Sequence, residues 1–539
     1  MGTIKLLDCT LRDGGYLNDW EFGYDEIITV FERLVSAGID IIEIGFLDER
    51  RNYDSNRSIL PDVASVNTTF EGIDKRDAMV VGMIDYGTCS IDKVIPQKDS
   101  YLDGIRVIFK KHIMNEALDF CSQLKELGYN VFVQAVSITS YDDKEFATLL
   151  QRVNEVIPYA FSIVDTYGLL HKNQLIHYFE MANQKLKKEI SLGYHSHNNF
   201  QLGYANCIEL TEKNIERNLL LDGSLYGMGK GAGNTPIELL AMYMRENYGK
   251  QYHISQLLEA IDVTILDCYR ETPWGYGFKF FLSASNDCHP NYVAALMEKK
   301  KLSVKSINEI LKTIPNEKKL LYDGDFIETL YDKYQTIDCD DNNDLIQLTK
   351  EWHNQNILLI GPGKRSEETD KIKTYIKENE AVSVSVNFIP EHIVTNYVFM
   401  SNAKRYVKLA GKLSEEMRTR GTVKTIATSN VTRAQGRFDY VLAYGSLLDE
   451  EALVKDNPLL MMLKLCKLSK VKSIALAGFD GYEESAKENY VNPNMEYEFS
   501  REKANVLNED AADGIRRLEL SEQLKFVTES LYERLLKKV

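Results

Sequence analysis

The segment GYHSHNN sets His195 and His197 two residues apart, and LLDCTLRDGGY sets Arg12 beside Asp13 where an apolar run meets a glycine pair. Side chains two apart on a strand point to one face, so both imidazoles can reach a single ion. Asp13 can join them if strands 1 and 7 both flank strand 8 of a closed barrel, because neighbouring strands lie only ~5 Å apart. The turn YGMGKGAGN ends in Asn234, whose amide oxygen would complete a mixed oxygen and nitrogen donor set. Such a set suits Mg, Mn or Zn better than a thiolate-loving metal, and a shell finished by water or substrate is a catalytic arrangement. Each motif alone has a plainer use: HxH as two half-buried histidines, Arg beside Asp as a solvated turn, the glycine-rich stretch as a loop. Their coincidence at three strand ends points to a metal site, and Glu43 adds a carboxylate on strand 2.

These residues need a scaffold that gathers strand ends. From the start to about residue 235, the runs IKLLDCT, IDIIEIGF, AMVVGMID, LDGIRVIF, YNVFVQAVSI, AFSIVDTYG, SLGYHSH and RNLLLDGSLYG alternate with stretches such as YDEIITVFERLVSAG, which carries apolar residues at helical spacing and ends at glycine. Eight strand-helix units over about 250 residues predict a (β/α)8 TIM barrel, whose active site gathers at the carboxyl ends of the strands. Periodicity does not prove closure, so an open doubly wound sheet is the alternative. Residues 251–345 read as a helical extension with the acidic DCDDNNDL (338–345) as a linker. A second alternating series then begins with NILLIGPG, predicting a Rossmann-like parallel α/β domain over 346–539.

The bulk numbers exclude several roles. The 539 residues carry 64 Lys plus Arg against 80 Asp plus Glu, and the resulting charge of −16 argues against coating nucleic acid or an anionic membrane. No apolar run approaches the ~20 residues of a membrane span, and the start MGTIKLLDCT lacks the pattern of a signal peptide. Eight scattered cysteines with no CxxC pair fit a reducing, cytoplasmic compartment. Small molecules are the expected partners.

DCTLRDGG, IIEIGF, VDTYG, GYHSHNNFQLGYAN and GMGKGAGN, in that order, resemble the metal-dependent DRE-TIM lyase and synthase superfamily. That superfamily includes 4-hydroxy-2-oxovalerate aldolase, hydroxymethylglutaryl-CoA lyase, and isopropylmalate and homocitrate synthases; HSHNNFQLGYAN is most similar to the aldolase branch. The resemblance covers roughly residues 1–300. It implies Asp13, His195 and His197 as ligands of a divalent ion, Mn or Mg before Zn, with Asn234 as a further ligand or neighbour. It further implies that Arg12 stabilises an enolate and that Glu43 orients Arg12 or a bound water. The implied activity is making or breaking a carbon–carbon bond next to the carbonyl of a 2-oxo acid such as pyruvate, with an aldehyde or acyl partner, in a homodimer.

The sequence also departs from that family. Aldolases carry a histidine base three residues after the aspartate, where this chain has Tyr16; a phenol, with a reference pKa of ~10, needs help to act at neutral pH. Tyr16 as a mere pocket wall is the competing use. The synthases have glutamate after LRDG, where Gly15 stands, and the thioester lyase has a reactive cysteine where the glycine loop offers Lys230. A Claisen-type acyltransferase and a non-catalytic metabolite-binding barrel are therefore the alternatives. Thr166 in VDTYG could hold a substrate carboxylate or cap the next helix. Tyr276, in the aromatic stretch 272–293, could close the pocket or serve in packing. NILLIGPGKRS sets GxG before a helix with Lys364 and Arg365, which suits a phosphate or simply a tight turn; Ser366 breaks the full GxGxxG fingerprint.

Overall fold

In the computed structural model, the described residues are 2–299, 302–319, 321–336, 339–420, 423–431, 438–483, 489–491 and 501–537. The chain separates into two compact units, Met1–Pro290 and Asn291–Val539. The stretch 251–345 is thus divided between them.

The first unit is a closed barrel of eight parallel strands: β1 (Ile4–Asp8), β2 (Ile41–Leu47), β3 (Met79–Asp85), β4 (Gly104–Phe109), β5 (Asn130–Ala135), β6 (Ala160–Asp165), β7 (Ser191–Ser196) and β8 (Leu219–Gly223). Closure is direct, since β1 pairs with β2 (Leu7 opposite Ile41) and also with β8 (Ile4 opposite Leu219). The open doubly wound alternative is therefore set aside. The strands are almost wholly buried on both faces, as a barrel wrapped in helices requires. Helices follow from sequence in the expected way. In Tyr24–Ala37, Ile27, Val30, Phe31 and Leu34 fall on one buried stripe, and Asp142 and Glu145 form a reciprocal cap at the start of Asp143–Val156.

Alternation along the strands sorts the barrel interior into layers. Leu7, Ile41, Val81, Phe132, Ala160 and Leu220 form an apolar cluster separate from the larger core between strands and helices. Two residues further along four of these strands stand Glu43, Gln134, Ser162 and Asp222, with Arg106 on β4. A period of two that keeps one face inward thus carries an apolar floor under a polar layer.

One strand position tolerates no side chain. Gly45 in β2 has φ +146, beside a register shift between Glu43 and Phe46, and a Cβ there would lie 1.7 Å from the Ser58 carbonyl oxygen. Gly45→Ala should therefore destabilise the barrel by about 2–4 kcal/mol through clash and strain. A denaturant midpoint equal to that of the native chain would contradict this assignment.

The second unit carries a wholly parallel seven-stranded sheet: β9 (Asn356–Ile360), β10 (Val382–Val386), β11 (Tyr397–Met400), β12 (Lys424–Thr428), β13 (Tyr440–Leu442), β14 (Ser473–Ala477) and β15 (Leu524–Phe526), in spatial order β13-β12-β11-β10-β9-β14-β15. The chain winds outward from β9 and then returns to lay β14 on its other side, the Rossmann-like pattern of a doubly wound sheet. Of the acidic stretch 338–345, Asp338 lies outside the described residues. From Asn342 the chain is helical, and Asp341 and Asp344 accept hydrogen bonds from the Ala443 and Val441 amides. Among the described residues, no helix is long and apolar enough to cross a membrane.

Candidate metal centre

Arg12 and Asp13 do not sit on the first strand, as the sequence suggested, but on a helical turn, Thr10–Asp13, that follows it. Asp8 ends the strand early: its carboxylate accepts from both the amide (2.9 Å) and the hydroxyl (2.8 Å) of Thr10, an Asx-type turn that competes with strand pairing. The turn aims Asp13 at the end of β7. There His195 is the penultimate residue of the strand, and His197 follows the strand in a bridge to Asn234.

Ligand atoms of Asp13, His195 and His197 all lie within 4.8 Å of one another, and all three residues are buried. Their partners show which atoms remain for an ion. His195 Nδ1 is 3.0 Å from Asp222 Oδ2, which leaves Nε2 as the nitrogen available to an ion. His197 Nδ1, 3.8 Å from Asp13 Oδ2, is buried without a hydrogen-bond partner among the described residues, as is Asn234 Oδ1. Asn234 Nδ2 donates to Asp13 Oδ2 at 2.6 Å. Two orphaned acceptors beside a carboxylate are costly in a dry site unless a cation meets them, so the donor set fits a divalent ion. Gly229 keeps the approach open, since a Cβ on it would lie 2.5 Å from Asp13 Oδ2 and 2.3 Å from Asn234 Nδ2.

Electrostatics prepare the site in the same sense. Burial alone would raise the Asp13 pKa, but Arg12 and the two imidazoles hold it well below the usual carboxylate range. Burial pushes the His197 imidazole down to about 4, with Asp13 opposing the shift and His195 reinforcing it. The neutral imidazole, the form able to ligate a metal, is thus the one favoured at physiological pH. So far as His197 limits binding, affinity for Mn2+ should stay nearly constant from about pH 8 to about pH 6 and weaken only near pH 5 and below. A tenfold loss already beginning near pH 6.5, in calorimetric titrations, would contradict this.

Arg12 is fixed on two sides. Its Nε donates to Glu43 Oε2 at 2.8 Å and its Nη1 to Asp13 Oδ1 at 2.6 Å, with the guanidinium over the Phe46 ring. Glu43 therefore orients Arg12 through one oxygen, while its Oε1 is buried and unpartnered among the described residues. Two residues not anticipated complete the layer. Arg106, fully buried, donates through Nη1 to Glu43 Oε2 at 3.0 Å and through Nη2 to Asp222 Oδ2, the same oxygen that faces His195. A continuous chain of contacting polar side chains, Asp13, Arg12, Glu43, Arg106, Asp222 and His195, thus crosses the barrel interior.

The other expected residues are placed differently. Tyr16 is 41% exposed to the barrel mouth, edge-on to Trp20 and Phe46 and beneath the Lys230 ammonium, 5.1 Å from its ring centre. The surrounding protein raises its pKa well above that of a free phenol. Thr166 Oγ accepts from the Ser137 amide at 2.7 Å, while Asp165 accepts from the Leu169 and Leu170 amides. Tyr276 is 62% exposed, and its ring contact is Phe281. From the same aromatic segment Trp274 packs on Gly233 and donates to the Tyr226 carbonyl, closing one side of the glycine loop.

Residues 3–264 match the family model described as HMGL-like. The chain is 26% identical over 294 residues to an oxaloacetate decarboxylase of Mycobacterium tuberculosis, covering 51% of this chain and 81% of that relative. It is 24% identical over 270 residues to 4-hydroxy-2-oxovalerate aldolase 6 of Rhodococcus jostii, covering 49% and 73% respectively. It is also 25% identical over 258 residues to a 2-isopropylmalate synthase of Staphylococcus carnosus, covering 46% of this chain and 50% of that one. All three matches leave roughly half of this chain uncovered.

Proposed function

We propose, from the premise that residues 3–264 form a barrel of the HMGL-like family, that this protein makes or breaks the carbon–carbon bond next to the carbonyl of a 2-oxo acid by way of the substrate's enolate. The observation that carries the reading is the convergence of Asp13, His195 and His197 beside the doubly anchored Arg12. A divalent ion, when bound, supplies Lewis-acid polarisation of the 2-oxo acid. Asp13, His195, His197 and Asn234 would hold it, a mixed oxygen and nitrogen set that suits Mg, Mn or Zn, with Mn or Mg the choice that the family resemblance implies. Arg12 presents the edge not taken by Glu43 and Asp13 to the developing oxyanion, a kind of contact typically worth ~3 kcal/mol in the transition state. Glu43 keeps that edge in place. Thr166, whose hydroxyl proton is not used by the Ser137 amide, would donate to a substrate carboxylate, and Tyr276 would help close the mouth.

A second reading shares the enolate but differs in what leaves. Aldol cleavage needs a base for the substrate hydroxyl, and position 16 offers a phenol whose surroundings keep it protonated. Loss of carbon dioxide from a 2-oxo dicarboxylic acid leaves its electron pair as the same enolate and needs no such base. The relative from Mycobacterium tuberculosis is named for that reaction.

Pyruvate release measured with a coupled dehydrogenase distinguishes these readings, using 4-hydroxy-2-oxo acids and oxaloacetate with Mn or Mg and subtracting the rate of metal alone. Metal-dependent release from either supports the proposal and chooses the leaving group. Thiol release from acetyl-CoA with a 2-oxo acid would move the assignment to a Claisen-type acyltransferase. No turnover in any arm, with metal shown to be bound, would contradict it.

A further inference from the structure

The second unit encloses a cavity of about 740 Å3. It opens over the carboxyl ends of the sheet: Pro362 and Gly363 follow β9, Asn387 follows β10, and Gly478 to Asp480 follow β14. These loops flank the place where strand order reverses, with β10 on one side of β9 and β14 on the other. In open parallel sheets that crevice is where small ligands bind, and the volume is that of a small-molecule site.

The walls differ at the two ends. At one, Arg405 stacks on Tyr490, 5.1 Å from the ring centre, and acts electrostatically on Tyr482. At the other, Tyr444 donates to Asp456 at 2.8 Å, with Asp332 and Tyr331 within electrostatic reach. Asp480 is the most telling group. Its Oδ2 accepts from the Arg365 amide at 2.9 Å, while its Oδ1 is buried without a hydrogen-bond partner among the described residues. An unsatisfied buried carboxylate oxygen on a cavity wall calls for a donor from a ligand.

The glycine turn after β9, one candidate for holding phosphate, is already committed. The amides of Gly361 and Gly363 donate to the carbonyls of Ala477 and Gly478, and the Arg365 guanidinium pairs with Glu368 and Glu529. Arg405 lines the cavity itself, and its planar fork suits phosphate. Tyrosine faces suit the apolar faces of a sugar or base ring.

We propose that this cavity binds a phosphorylated sugar, free or as the ribose phosphate of a nucleotide, with its phosphate at Arg405 and a sugar hydroxyl donating to Asp480 Oδ1. The test is calorimetric titration of the full chain with ribose 5-phosphate, with the four ribonucleoside monophosphates, and with ribose and inorganic phosphate as controls, each to about 5 mM. Saturable binding of at least one phosphorylated sugar, weakened about tenfold or more by Arg405→Gln and by Asp480→Asn, is the expected result. Both variants should keep native Mn2+ binding. Equal binding of ribose 5-phosphate and nucleotides would identify a free sugar phosphate as the ligand, and dependence on the base a nucleotide. The near-isosteric Asp480→Asn decides alone if circular dichroism shows Arg405→Gln to be unfolded. No binding, binding indifferent to the folded variants, or inorganic phosphate binding as tightly as the sugar phosphates would overturn the proposal.

Discussion

Asp13→Asn is expected to lower kcat/KM of the proposed metal-dependent reaction by on the order of 10^3-fold. The substitution preserves shape but removes the one carboxylate among the three converging groups. It also sets an amide NH2 where both carboxylate oxygens now accept: Oδ1 from Arg12 Nη1, and Oδ2 from Asn234 Nδ2 and the Lys230 amide. Two losses therefore combine, weaker metal affinity and a guanidinium released on one side. They separate experimentally, because direct Mn2+ titration reads the first, while kcat at saturating metal reads the second. Native metal affinity in Asp13→Asn would show that Asp13 is not a ligand.

Arg106→Met should cost about 3–5 kcal/mol of stability, the penalty for breaking a buried ion pair from one side. Arg106 is wholly buried, and its removal leaves Glu43 and Asp222 facing the barrel interior without their shared cation. Asp222, whose carboxyl Arg106 helps hold down against the opposing effect of burial, would then have a raised pKa in the folded variant. Because the folded variant would bind more protons than the unfolded chain above the ordinary carboxylate range, its stability should fall as pH rises, so the deficit is larger at about pH 8 than at about pH 5. His195 would also lose the fixed carboxylate that orients its ring, weakening metal binding by roughly 10–100-fold. Denaturant unfolding at the two pH values checks the first effect. A loss under about 1 kcal/mol, independent of pH, would mean that the charges relax to water without Arg106.

The site's outer parts were legible from sequence because their chemistry is concentrated at strand ends. HxH can be read at sight, and Arg12 and Asp13 stand out beside a glycine pair. The inner parts were not. Arg106 and Asp222 each interrupt an apolar run once, and their pairing joins positions 116 residues apart, a fact that exists only when the barrel closes. A lone arginine in a fully buried strand could have signalled a carboxylate partner, though not which one. The early end of β1 depends on the side-chain grip of Asp8 on Thr10, which periodicity does not register. In the second unit alternation predicted parallel strands, yet the return of β14 to the flank of β9, which creates the cavity, lies in the connections.

Exchange of pyruvate methyl protons for deuterium, followed by NMR with added Mg2+, tests the central claim most directly. It needs only the enolate and no knowledge of the leaving group. The expected exchange requires metal, disappears in Asp13→Asn and His195→Ala, and is sharply reduced in a folded Arg12→Lys variant. Metal bound at Asp13, His195 and His197 without exchange of pyruvate or any short 2-oxo acid would contradict it.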